Sequence, residues 1–285
     1  MGRSVSERVD VTCLNCGYVW SVRVRELEWG RGKFCSKGCS VEYRSSLVDR
    51  QFFSEPNADM AYVLGLVISD GCICLSSRGR EYVAIKSIDL PLLEMVREMM
   101  QSQYAITDCG RSSSGNIVWR IRIANKQVVD DLKRWGVTPR KTFTTSFPKL
   151  PGQFVGDFIR GVFDGDGTVG SYQYGSVDQP GEGRWALRAS ILGTASLLTP
   201  MVSVFGGSCR IVPYKKINKL IIGSHESLVS AYLAMYHSDD VRCLERKRTT
   251  FREVLNVIDQ ASRKPRYGTQ KSIVVRGLLE STGLY

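Results

Sequence analysis

The feature that most restricts how this chain can fold is a nine-residue pattern that occurs twice. Val63-Leu64-Gly65-Leu66-Val67-Ile68-Ser69-Asp70-Gly71 and Ile159-Arg160-Gly161-Val162-Phe163-Asp164-Gly165-Asp166-Gly167 align position by position. Each copy has small residues four apart: Gly65 and Ser69 in one, Gly161 and Gly165 in the other. Residues at that spacing share one helix face. A face without side-chain bulk lets two helices approach to backbone contact. If the two helices pack parallel, Asp70 and Asp166 arrive at the same end. There two carboxylates face each other where each helix already carries partial negative charge. A hard divalent cation with oxygen ligands relieves both problems. The pattern therefore predicts a metal site at the junction of two repeats. An Asp-Gly helix stop would account for one copy but not for two heading similar segments.

The segments after the two copies repeat as well. Repeat one, residues 56–150, reads as helix 58–70 with Asn57 as N-cap, strands 73–75 and 82–87, helix 91–100, strands 106–111 and 117–123, and helix 127–135. Repeat two, residues 151–258, reads as helix 154–166, strands 169–174 and 185–191 around a Gly-rich loop at 175–183, helix 195–205, strands 209–214 and 220–222, helix 225–236 and a helical segment 245–258. The expected class is α+β, with two pseudo-symmetric αββαββα repeats. Val118-Trp119-Arg120-Ile121-Arg122-Ile123 alternates strictly, which marks a strand with one buried and one open face. Lys86, Arg120 and Arg122 should then point outward. In repeat two the same reasoning selects Arg184 and Arg188, with Arg210, Lys215 and Lys216 around the second hairpin. A two-stranded basic ribbon of this kind fits the major groove of DNA.

Charge supports that partner. The chain has 39 basic against 28 acidic residues in 285, a net charge of +11, which favours a polyanion. No apolar run reaches the ~18 residues of a membrane span. Nine cysteines, several of them scattered, argue against a disulfide framework and for a reducing, intracellular setting. Four of them form Cys13-x-x-Cys16 and Cys35-x-x-x-Cys39 within residues 1–50. Two such knuckles suit tetrahedral zinc, and four sulfurs leave no position open for catalysis. The same module carries Arg23, Arg25, Arg31, Lys33 and Lys37, so it reads either as a further DNA contact or as an appendage folded by its metal. Residues 42–55 read as a polar connector and residues 259–285 as a basic tail.

The two nine-residue copies resemble the LAGLIDADG homing endonuclease motif, in its single-chain, two-motif form. The second copy is closer; the first has Ile68 where the motif usually has an acid but keeps Asp70. The resemblance implies a saddle-shaped antiparallel sheet on double-stranded DNA. It implies Mg held by Asp70 and Asp166 together with the main-chain oxygens of Ser69 and Gly165. It also implies lysines beside the scissile phosphates, at Lys141 and Lys247. The expected reaction is hydrolysis of one phosphodiester per strand at a long, partly palindromic site, by a pseudo-twofold monomer that serves intron homing in a bacterial or phage-infected cell. Two other roles fit the same resemblance: an intron RNA maturase, and a catalytically silent DNA-binding regulator.

Overall fold

The structure is a computed structural model, and it describes residues 7–139, 141–174 and 184–262. The loop 175–183, the side chain of Arg184 and the tail beyond residue 262 lie outside the described residues.

An N-terminal module consists of β1 (Arg8–Thr12), β2 (Val19–Arg23), α1 (Val24–Glu28) and α2 (Lys37–Ser45). The first repeat comes next as α3 (Ala58–Ser69), β3 (Gly71–Leu75), β4 (Glu81–Ser87), α4 (Leu90–Met99), β5 (Ile106–Arg111), β6 (Ile117–Ile123) and α5 (Lys126–Arg134). The second runs α6 (Val155–Asp166), β7 (Gly167–Tyr174), β8 (Arg184–Gly193), α7 (Ala195–Phe205), β9 (Arg210–Tyr214), β10 (Ile217–Ile222), α8 (His225–Met235) and α9 (Glu245–Ser262). Each repeat folds its strands into one four-stranded antiparallel sheet. The orders β3-β4-β6-β5 and β7-β8-β10-β9 are the same arrangement, first-second-fourth-third. The predicted αββαββα repeat is therefore present twice, with matching topology.

Local sequence explains the element starts. Asn57, Asn125, Thr194 and Ser224 each accept a backbone N–H of the following helix, as N-cap residues do. Alternation in the strands sets which side faces the core. Val83 pairs with Ile123 and Ile85 with Ile121, all buried, while Lys86 pairs with Arg120 on the opposite face. In the second sheet Ala189, Ile191, Leu220 and Ile222 are buried, and Arg210 lies opposite Ile221 on the other side.

The two repeats share one hydrophobic core, and α3 and α6 run through its middle. Both helices are apolar nearly all round: residues 60–68 of α3 and 157–164 of α6 are all buried. A helix with so little polar face is built to be enclosed.

Two expectations need correction. The stretch 42–55 is not a polar connector. Helix α2 takes its first part, and Val48, Phe52 and Phe53 are buried in the shared core, where the Trp135 indole N–H donates to Phe53 O at 2.7 Å. The strands after the motifs also begin earlier than expected, at Gly71 and Gly167, with no intervening turn. Gly167 has extended backbone (φ −81°, ψ 151°), so it starts a strand rather than a left-handed cap. Each acid thus stands at the helix end, immediately before an outgoing strand.

Candidate metal centre and nucleic-acid interface

The helix pair determines the site. α3 and α6 touch at their small residues, in parallel register. A Cβ on Gly161 would lie 2.0 Å from Tyr62 O and 3.1 Å from Gly65 Cα; one on Gly65 would lie 2.3 Å from Phe158 O. At the far end a Cβ on Gly165 would lie 1.9 Å from Ser69 Oγ and 3.1 Å from Asp70 Oδ2. The carboxylate of Asp70 therefore sits against the backbone of the residue that precedes Asp166.

Both acids lie in a partly dry pocket. Burial first, and the neighbouring Asp166 charge second, push the Asp70 carboxyl up to about 6, against the pull of Lys247 and Lys141. Asp166 is also raised by burial, opposed by the same two lysines. Two hard carboxylates that resist ionising together are a donor set that fits a hard divalent cation.

The lysines hold positions that spacing alone did not define. Lys141 and Lys247 are buried, at 7% and 8% exposure. The Lys141 ammonium donates to Ile68 O at 2.5 Å and to Ser69 O at 3.2 Å. Lys247 donates to Phe163 O and Asp164 O, both at 2.7 Å, and to Gly165 O at 3.1 Å. Each lysine thus caps the C-terminal end of one motif helix, satisfying carbonyls that have no helical partner and offsetting the negative end of the dipole. Ser69 O and Gly165 O, expected as metal ligands, accept from these ammonium groups. Burial lowers the Lys141 pKa and brings Lys247 down to about 8.

Sequence reasoning missed several residues that lock the site. Arg246, next to Lys247, makes a two-armed pair with Asp89 of the first repeat at 2.8 and 2.7 Å. Asp164, aligned with Ile68, is buried; its Oδ2 accepts from the Tyr62 hydroxyl at 2.7 Å and from Leu244 N–H at 2.8 Å. Arg160 binds Arg242 O, Met235 O and Asp157, which ties α6 to the segment leading into α9. Asp157 and Arg160, three apart inside an apolar helix, were a legible signal of a buried pair.

The basic residues read from the strands largely face outward. Lys86 and Arg122 are exposed, Arg120 is half-buried, and Arg122 stacks on Tyr82 at 4.1 Å. Arg188 lies 5.9 Å from the Tyr172 ring, on the face away from the core. Lys215 and Lys216 form the two-residue turn between β9 and β10. Lys219 joins them, 5.3 Å from the Tyr214 ring, though alternation had not singled it out. The side chain of Arg184 lies outside the described residues.

In the N-terminal module the four Sγ atoms of Cys13, Cys16, Cys35 and Cys39 all lie within 4.8 Å of one another. Cys35 Sγ is 3.5 Å from both Cys16 Sγ and Cys39 Sγ. Tetrahedral zinc with Zn–S bonds of about 2.3 Å sets neighbouring sulfurs roughly 3.8 Å apart, so the cluster fits. Ser36 caps α2 by accepting from Cys39 N–H at 3.0 Å, which seats the second knuckle on a helix N-terminus, where thiolate charge is favoured. Removing zinc with a chelator should unfold residues 8–45 selectively, read as faster hydrogen exchange there with residues 57–258 still protected. Zinc-free protein that keeps this module protected would remove the metal's structural role.

The raised Asp70 carboxyl gives a pH expectation. Its folded value, about 6, lies above the ordinary ~3.9 of the unfolded chain, so protonation favours the folded state. The stability it contributes is full below about pH 4 and is lost as pH rises through about 6. In Mg-free buffer, Asp70→Asn should therefore melt at nearly the wild-type temperature at pH 4.5 and above it at pH 7. A gap that does not widen with pH would contradict the placement of Asp70 beside Asp166.

Residues 57–135 match the family described as LAGLIDADG-like domain. A comparison with curated proteins finds no match. Among solved structures, the fold is similar to the LAGLIDADG meganuclease I-CpaMI bound to uncleaved DNA, with TM-score 0.53 and 12% identity over 78% of this chain and 99% of that one. It is similar to the meganuclease I-AabMI bound to uncleaved DNA, with TM-score 0.51 and 13% identity over 79% and 98%. It is also similar to the I-LtrWI LAGLIDADG homing endonuclease bound to target DNA, with TM-score 0.50 and 12% identity over 79% and 97%. At these identities the likeness establishes the fold. No described helix is long and apolar enough to cross a membrane.

Proposed function

From a chain that carries a LAGLIDADG-like domain over residues 57–135 and has the fold of LAGLIDADG homing endonucleases over most of its length, we propose that this protein is a Mg-dependent, site-specific double-stranded DNA endonuclease. One observation carries the reading: the parallel contact of α3 and α6 delivers Asp70 and Asp166 together at the point where two basic sheets begin. An inactive relic would have no need to keep two mutually repelling carboxylates in a partly dry pocket.

In this reading Asp70 and Asp166 hold Mg at the helix ends, one acid serving each strand of the duplex. Bound Mg would lower the pKa of a water and stabilise charge on the leaving oxygen. The residues of the chain do the rest. Lys141 and Lys247 keep positive charge beside the acids and hold the last helical carbonyls in place. Because the two lysines bracket both carboxylates, they also keep the acids ionisable near neutral pH. The strand and hairpin cations Lys86, Arg120, Arg122, Arg184, Arg188, Arg210, Lys215 and Lys216 supply phosphate and base-edge contacts along a saddle. The two halves differ in sequence, so the target should be long and only partly palindromic, and a monomer suffices because both motifs stand in one chain. Zinc in the four-cysteine module is structural.

Incubating the purified protein with fragmented genomic or randomised plasmid DNA, with and without Mg, and sequencing the new ends tests the proposal. Recurrent paired breaks at one long site are expected only with Mg. Intact DNA under both conditions, with binding retained, would favour the silent regulator.

A further inference from the structure

The saddle does not use the most strongly charged concavity of the molecule. A cleft of 830 Å³ opens between the N-terminal module and the first repeat, with one wall formed by α2 and the other by the β3–β4 turn and the start of α5. A second cleft of 910 Å³ continues it along the same turn, sharing Arg44, Arg80 and Lys126. Lys37, Ser40, Val41, Arg44 and Ser45 line it from α2 at a three-to-four-residue spacing, so one helix face is turned to it.

The charge in this cleft is unbalanced. Its two acids are already engaged: Asp130 pairs with Lys126, and Glu81 with Lys133. Lys37, Arg44, Arg50, Arg78 and Arg80 are exposed and have no carboxylate partner among the described residues. The N-terminal end of α5 also opens here, at Asn125 to Gln127, and adds its positive dipole end. Five such cations on two walls of one cleft attract a polyanion, and long flexible arginines contact phosphates without reading bases.

Its position identifies the polyanion. Strand β3 leaves the metal acids at Gly71 and ends at Leu75, so the turn that borders the cleft stands about 17 Å along the strand from that centre. A duplex held on the sheet passes this turn as it leaves. We propose that the cleft binds the phosphate backbone of duplex DNA flanking the stretch held by the sheets, so that the zinc module extends the footprint on the first-repeat side only. This rests on the reading of the sheets as a DNA-binding surface.

The test uses a random-sequence 40-base-pair duplex in Mg-free buffer, roughly twice the length that two such sheets can cover at ~3.4 Å per base pair. Affinity is measured by anisotropy over a series of salt concentrations. Removing one phosphate contact should reduce the log–log salt slope by about 0.9. Arg44→Gln, Arg50→Gln and Arg80→Gln combined should flatten it by roughly 2 to 3. An unchanged slope with zinc content and far-UV spectrum intact overturns the proposal. Arg120→Gln with Arg122→Gln, tested in parallel, reports on the sheets alone: if only that variant leaves the slope unchanged, the sheet reading fails and the cleft stands. Hydrogen exchange on the wild type provides a check that needs no variant. Residues 37–45 and 76–80 should slow on adding the duplex, and no slowing there overturns the proposal.

Discussion

Asp70→Asn combined with Asp166→Asn should abolish Mg-dependent cleavage while the protein goes on binding DNA. The expected loss is about a thousandfold or more, equivalent to ~4 kcal/mol of transition-state stabilisation. The amide keeps the volume of the carboxylate but offers the cation no negative charge. Binding should hold or tighten, because two negative charges leave a surface that faces phosphates. Folding should not suffer either, since both wild-type carboxyls are held above their ordinary range by burial and do not stabilise the metal-free protein. Cleavage mapping and anisotropy on the same preparations separate the two effects. Cleavage that survives in the double variant would remove these acids from the chemistry and with them the proposed activity.

The second large effect concerns packing. Gly161→Ala adds one methyl group where the structure leaves no room: that carbon would lie 2.0 Å from Tyr62 O. A main-chain oxygen cannot rotate away as a side-chain tip can, so the helices must separate by more than an ångström. Overpacking of this kind costs about 3 kcal/mol, which for a chain of this size is a drop of roughly 6–12 °C in Tm. The separation also draws Asp70 away from Asp166, so Mg affinity should fall together with stability. Gly152→Ala provides the control, since nothing lies within 4 Å of its added carbon; it should change Tm by no more than about 2 °C. Equal melting of the two variants would mean that the helices are not in backbone contact.

The locks around the site separate local from long-range information. Alternation of apolar and basic residues, as in residues 118–123, is a local property, and it correctly placed Lys86, Arg120 and Arg122 on the open face. The Asp-Gly pairs misled for a local reason as well. They resemble the punctuation that ends a helix, yet Gly71 and Gly167 carry the chain straight into strands. Residues 47–55 looked polar because three buried side chains among nine show no period; only a pocket beside α5 makes Val48, Phe52 and Phe53 core residues. The pairing of Arg246 with Asp89 spans 157 positions and has no local trace at all.

Two matters were decided by the order of residues alone. Repetition of one small-residue pattern, ended each time by an acid, required two helices that meet face to face, because only glycine and serine leave backbone open to backbone. The paired cysteines likewise dictated a metal-held module, since thiol chemistry depends on residue type and spacing. The three-dimensional arrangement decided what surrounds the acids. Lys141 and Lys247 each lie more than 70 residues from the helix ends they cap, and their commitment to those carbonyls comes from where the chain returns. The open cations of α2 and the β3–β4 turn become one cleft only because buried Phe52 and Phe53 fix the module against the first repeat. Charge and burial at a site sum over everything within a few ångströms, and distance along the chain does not determine what those neighbours are.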